Sequence, residues 1–229
     1  MKDFSKLQKS LKVKFKNIDL LKQSVVHRSY LNEHPSFKLD HNERLEFLGD
    51  AVLELIVTEY LYLNFPNPEG ELTNWRASLV NAKMLAEASS ALEVEPFLFL
   101  SKGEAKDTGK ARQFILANAF EAIIGAVYLD RGWEIAQEFI NRTIISQLPH
   151  ILENQLYLDP KSKFQEMSQE KLGITPNYKV IDEKGPDHAK IFTIGVYLDD
   201  QLVAKGKGDS KQEAQVEAAA KALKIKNWE

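Results

Sequence analysis

The hydrophobic period changes once along this chain, near Leu156, and that change limits the folds open to it. Through the first 150 residues apolar side chains recur every three or four positions, as in Leu7, Leu11, Phe15 and again in Ile18, Leu21, Val25, which is helical spacing. The pattern predicts a long helix over 43–63, stopped by Phe65-Pro66-Asn67-Pro68, where two prolines block continuation. It predicts a second helix from about 73 to 92, a polar glycine-bounded loop over 103–109, and helices over 111–129 and 133–148, the last ended by Pro149. Beyond Leu156 a helix over 161–172 meets Gly173, which suits a left-handed cap. Three short β-like segments follow, 177–182, 191–198 and 201–207. Ser210 then suits the N-cap of an Ala-rich helix over 211–225. The expected fold class is an all-α N-terminal domain over 1–153, a short tether over 154–160, and a small α+β domain of order α-β-β-β-α over 161–229.

Composition removes several classes of chemistry. Cysteine is absent, which excludes disulfides, zinc–thiolate sites, iron–sulfur clusters and thiol nucleophiles. The N-terminus alternates lysines with apolar residues instead of presenting a signal peptide's apolar core. No run of 18 apolar residues is present, so a cytoplasmic protein without a membrane partner is expected. Net charge is −3; residues 1–158 carry 18 Lys+Arg against 21 Asp+Glu, and residues 159–229 carry 12 against 12. Bulk charge therefore gives no support to nucleic-acid binding, and any such role must rest on local arrangement.

The densest chemical feature is Asn42-Glu43-Arg44-Leu45-Glu46-Phe47-Leu48-Gly49-Asp50-Ala51-Val52-Leu53. At 100° per residue Glu43, Glu46 and Asp50 fall within about 60° of one another, opposite Leu45, Leu48, Val52, Leu55 and Ile56. Three carboxylates on one helix face repel by a few tenths of a kcal/mol per pair. Most such faces are simply solvated, and Asn42 with Glu43 also reads as an ordinary helix start. The competing reading is a hard-cation site, because Mg²⁺ takes oxygen ligands from a few carboxylates plus water. Gly49 costs about 1 kcal/mol of helix propensity, and close approach of another helix would account for it.

The segment Ile115–Ala126 tips the balance toward chemistry. Asn118 and Glu121 are i and i+3 in a helix whose other side chains from Ile115 to Tyr128 are apolar or small. A charge in such a helix is rarely left unpaired; a structural Glu121 needs a nearby Arg or Lys, and a functional one faces a metal. Gly125 repeats the signature of Gly49.

The run at 42–53 resembles the signature of the ribonuclease III family. The resemblance extends through His27-Arg28-Ser29-Tyr30, Leu72-Thr73, Arg76–Val80, Gly103-Glu104 and the Glu121 helix, covering nearly all of residues 1–150. It implies a helical, homodimeric, Mg²⁺-dependent endonuclease for double-stranded RNA, with Mn²⁺ as a substitute cofactor. By position it makes Glu46, Asp50, Asn118 and Glu121 the metal-site residues, Asp50 and Glu121 the catalytic pair, and Glu43 and Glu69 outer acids of the substrate valley. It also implies staggered cuts leaving 5′-phosphate and 3′-hydroxyl ends, in the processing of ribosomal, messenger and other structured RNAs. Position 118 departs: the family usually has aspartate there. Asparagine keeps a carbonyl oxygen but removes one negative charge, so weaker Mg²⁺ affinity is expected.

Residues 159–226 are similar to the double-stranded RNA-binding domain through Lys161–Gln169, Pro176, Tyr178, Gly185-Pro186-Asp187-His188, Gly206–Ala214 and Ala218-Ala219-Ala220. The resemblance implies that Gln165, Glu166 and Gln169 reach one minor groove and His188 the next, with Ser162 also among the RNA-binding residues. Ser210 and Lys211 would meet phosphates between them, a shape-reading grip on about 16 base pairs. Lys211 is followed by Gln212 where the family often pairs lysines, so phosphate binding should be modest.

Other motifs carry less. Gly103 to Gly109 before Lys110 has five residues between its glycines and Ala111 where a phosphate loop needs Ser or Thr, so no nucleotide cofactor is expected. His27, His34, His41 and His150 lack metal-ligand spacing; His27 reads as satisfying a core hydrogen bond, and Trp75 and Trp133 as packing residues. Two function classes stand: an active double-stranded-RNA endonuclease, and a double-stranded-RNA binder whose chemistry is weakened through Asn118.

Overall fold

The computed structural model describes residues 2–186 and 190–228, in two compact units, Met1–Tyr157 and Leu158–Glu229. In the first, the described residues form helices α1 (Phe4–Leu11), α2 (Ile18–Gln23), α3 (Arg28–Glu33), α4 (Glu43–Asn64), α5 (Glu69–Val80), α6 (Ala82–Ala91), α7 (Lys110–Arg131), α8 (Trp133–Thr143) and α9 (Leu148–Glu153). The centre is α7, buried from Ile115 to Val127 except at Asn118 and Glu121. Among the described residues it is the one helix long and apolar enough to cross a membrane, yet most of it is enclosed by this unit. It packs against α4, α6 and α8, so its apolar surface is the core of a helical domain.

The expected helix over 73–92 is two helices. The chain breaks at Asn81, which is extended (φ −74°, ψ 157°) and accepts from the Met84 N–H at 3.0 Å to cap α6. Asparagine's side-chain competition for backbone amides overrides the run of helix formers around it. The first of the two also starts earlier, at Glu69 behind Pro68. The expected helix over 133–148 likewise ends at Thr143; after a 3₁₀ turn at Ile145–Gln147, Pro149 lies in the first turn of α9 and so opens a helix instead of closing one, a place where its missing N–H costs nothing.

Two expectations for α4 need correction. Leu55, assigned to the buried stripe, is 57% exposed, and Phe47 is 82% exposed, whereas Leu45, Val52 and Ile56 are buried. Asn42 precedes the helix, but its side chain does not cap it. It is buried and donates from Nδ2 to the Ser24 carbonyl at 3.3 Å, while its own N–H donates to the Val26 carbonyl at 2.9 Å. Asn42 thus ties the start of α4 to the end of α2.

The second unit contains α10 (Pro160–Leu172), an antiparallel sheet of order β1 (Asn177–Lys184), β2 (Ile191–Leu198), β3 (Gln201–Gly208), and α11 (Lys211–Lys226). Asp159 caps α10 by accepting from Ser162, and Gly173 ends it at φ 69°. Phe164, Val196, Ala218, Ala219, Ala222 and Trp228 form its core. A Cβ on Gly206 would lie 2.2 Å from the Ala214 carbonyl oxygen and 2.3 Å from the Ala218 nitrogen. Glycine there lets α11 lie directly on β3, which sets Ser210 and Lys211 beside the end of that strand.

Candidate active site and nucleic-acid interface

The acidic site is built where α4 crosses α7. A Cβ on Gly49 would stand 1.8 Å from the Glu121 carbonyl oxygen, and one on Gly125 would stand 2.2 Å from the Leu45 carbonyl oxygen. The two glycines face each other across the crossing, and only their missing side chains allow backbone to touch backbone. Glu46 and Asp50 lie on either side of Gly49 on α4; Asn118 and Glu121 lie about two turns and one turn before Gly125 on α7. The close approach therefore fixes four polar side chains from segments about 70 residues apart against one another.

Their electrostatics follow from that crowding. Glu121 is half-buried, and desolvation, then the Asp50 and Glu46 charges, push its carboxyl up to about 7. No cation is among the groups acting on it, so the structural role in which an Arg or Lys pairs with Glu121 is not met. Burial and the nearby Glu43 charge raise Glu46, helped by Asp50 and opposed by a side-chain hydrogen bond with Asn118. Asn118 thus orients Glu46 and favours its ionised form. Asp50 itself is exposed.

The other acids are placed differently. Glu43 is shared between Arg28, at 3.5 Å from Nη1, and His41, at 3.7 Å from Nδ1. That convergence had no local sequence signal, because Arg28 comes from α3. Glu69 begins α5 on a cavity of about 450 Å³ that it lines with Thr58, Tyr62, Asn67 and Arg76. It contributes to neither the Glu46 nor the Glu121 shift, so it stands apart from the cluster. His27 accepts from the Ser29 N–H and caps α3.

The donor chemistry fits a hard divalent cation: carboxylate oxygens from two rigid helices, one of them desolvated and under repulsion that a cation would relieve. Among the described residues no three His, Cys, Asp or Glu side chains converge as a ready-made cage.

In the second unit Ser162, Gln165, Glu166 and Gln169 are exposed along one face of α10, opposite buried Phe164 and Ser168. Ser210 accepts from the Glu213 N–H at 3.2 Å, so its oxygen is already used as a cap. Lys211 extends over the Phe192 ring and pairs with Glu183 at 3.4 Å. Lys205 and Lys207 alternate outward on β3. His188 lies outside the described residues.

Comparison with known proteins agrees with both halves. The Ribonuclease-III-like family profile matches residues 17–148, and the double-stranded RNA binding motif matches residues 160–226. Ribonuclease 3 of Carboxydothermus hydrogenoformans is 48% identical over 221 residues, covering 96% of this chain and 94% of that protein. Ribonuclease 3 of Dehalococcoides mccartyi is 40% identical over 224 residues, covering 97% and 94%. The crystal structure of the nuclease domain of ribonuclease III from Campylobacter jejuni is 42% identical with a TM-score of 0.58, covering 65% of this chain and 98% of that one. With an acid-bearing helix crossing in one unit and an α-β-β-β-α module in the other, this chain belongs to the ribonuclease III family of double-stranded-RNA endonucleases.

Proposed function

We propose that the chain hydrolyses double-stranded RNA with Mg²⁺ held by Glu46, Asp50 and Glu121, acting as a homodimer in the processing of ribosomal and other structured RNAs. The observation that carries this reading is the glycine-tight crossing of α4 and α7, which sets Glu121 beside Asp50 and Glu46; burial first, then those two charges, push the Glu121 carboxyl up to about 7. When bound, Mg²⁺ supplies an activated water and neutralises charge on the scissile phosphate. Asp50 and Glu121 would hold the ion from facing helices. Glu46, oriented by the Asn118 amide, completes the negative field at that point. A cation held there would favour the ionised form of Glu121, so its binding would depend on pH. In-line attack with the 3′-oxygen as leaving group leaves 5′-phosphate and 3′-hydroxyl ends, and two sites facing opposite strands give a stagger.

The dimer is supported by exposed Phe47 and Leu55 on α4, with exposed Tyr62 two further turns along the same helix. A solved relative, the Campylobacter jejuni nuclease domain, is described as having a region involved in dimer formation. Phe47→Asp should halve the mass in sedimentation while leaving the circular dichroism unchanged; an unaltered dimer would remove α4 from the interface.

The activity test is incubation of a long, perfectly paired RNA with protein and Mg²⁺ or chelator. Mg²⁺-dependent fragments lost in Asp50→Asn support the enzyme. Asn118 favours a second reading, a binder with weakened chemistry: intact RNA at high Mg²⁺ with a retained gel shift would establish it instead.

A further inference from the structure

Charge is distributed unevenly within the first unit. The first 16 residues carry six lysines against one aspartate, whereas residues 17–158 carry 12 basic and 20 acidic side chains. In the segment after α1 burial alternates with period two: Val13 and Phe15 enter the core, and Lys12, Lys14 and Lys16 are exposed. Three lysines close together in the chain are therefore exposed to solvent along this segment. Among the described residues none of the three makes an ion pair.

The segment is held in place along its length. Arg142 donates from Nη2 to the Leu11 carbonyl at 2.7 Å, Gln8 accepts from the Phe15 N–H at 2.9 Å, and Arg131 donates to the Lys14 carbonyl. Asp130 accepts from the Lys16 and Asn17 N–H groups, each at 2.7 Å. The Asp130 carboxylate is thus engaged with backbone amides, and Arg131 adds a further cation. Asp130 follows Glu121 by nine residues on α7, half a turn of phase at 100° per residue. The lysine strip accordingly packs on the flank of α7 opposite the acidic cluster.

A paired nucleic acid is stiff over roughly 150 base pairs in the case of DNA, so a duplex lying at the acidic cluster does not fold round to that flank. A single strand extending from it is flexible enough to reach that flank. We propose that Lys12, Lys14 and Lys16, with Arg131 beside them, form a second RNA contact that takes the phosphates of single-stranded segments flanking the duplex being cut. This rests on the double-stranded-RNA reading of the chain and adds to it a preference for substrates with unpaired extensions. The contact is electrostatic and without base readout, since every outward side chain of the strip is a lysine.

The test compares the full chain with its Lys12→Gln/Lys14→Gln/Lys16→Gln variant, measuring affinity over a salt series in Ca²⁺ so that binding is read without cleavage. One probe is a blunt duplex of about 16 base pairs, the span of one RNA-binding motif; the other is the same duplex with long single-stranded flanks. For the flanked RNA the slope of log K against log salt should become shallower by about 2, at about 0.7 per single-strand phosphate contact. The blunt duplex should bind both proteins alike, and the triple Lys→Arg variant should keep the wild-type slope. Equal slopes for both proteins on the flanked RNA, or an equal loss on both RNAs, would overturn the inference while leaving the enzyme reading intact. Wild-type protein that binds neither RNA would overturn both.

Discussion

Replacing Gly49 with alanine tests the physical basis of the acidic site. The added Cβ would lie 1.8 Å from the Glu121 carbonyl oxygen, 2.6 Å from its carbon and 2.9 Å from the Gly125 nitrogen. All three are backbone atoms, so no side chain can rotate away. Bringing the oxygen contact to 3.0 Å, the closest approach real Cβ atoms make, requires a local separation of about 1.2 Å between α4 and α7. Alanine returns about 1 kcal/mol of helix propensity, against an overpacking cost of about 1–3 kcal/mol, more where backbone must move. The net expectation is a loss of about 1–2 kcal/mol, a fall in Tm of roughly 2–8 °C for a domain of this size. The effect on chemistry should be larger, because a displacement near 1 Å at reacting groups costs about 100-fold. Thermal unfolding by circular dichroism and single-turnover cleavage of a long duplex RNA read the two effects. Gly70→Ala is the control: its Cβ meets nothing within 4 Å, so it should be neutral or mildly stabilising at full activity. Gly49→Ala with an unchanged or raised Tm and full single-turnover rate would refute the argument that the glycine crossing sets the site.

Two further outcomes follow from the electrostatics. Glu121 has its folded-state value raised from 4.5 to about 7, so the folded protein binds the extra proton. The metal-free protein should therefore lose stability as pH rises from about 4.5 through 7 and regain it on acidification. Glu121→Gln should flatten that profile in chemical denaturation and raise stability at pH 8; an unchanged slope would mean Glu121 is not repelled in the apo state. Asn118→Asp removes the amide that orients Glu46 and adds a carboxylate, so half-maximal cleavage should need severalfold less Mg²⁺ while the apo protein unfolds at a lower temperature; an unchanged Mg²⁺ demand would show that position 118 does not tune the site.

Legibility in the sequence depended on how local each feature is. The β-hairpins, the left-handed cap at Gly173 and the Ser210 cap involve neighbours in the chain, and their spans differ from expectation by only a residue or two. Helix breaks were less legible where a residue has two uses. Asn81 sits within strong helix formers yet caps a new helix, and Pro149, expected to end a helix, lies in the first turn of one, where its missing N–H has no partner to lose. Leu55 carried the right period for burial, but periodicity specifies a face and not what covers it; Leu55 is left more than half exposed.

By itself the sequence determined which side chains share a helix face, because 100° per residue is a property of the backbone: Glu46 with Asp50, and Asn118 with Glu121. It also carried the mark of close packing in Gly49 and Gly125. That these two glycines meet each other was decided only by tertiary structure, and with it the meeting of the two acidic faces. The same is true of Glu43 held between Arg28 and His41, and of the lysine strip lying on the opposite flank of α7. Each depends on how whole helices stack, and stacking is set by the summed burial of a distributed core that no short stretch of chain contains.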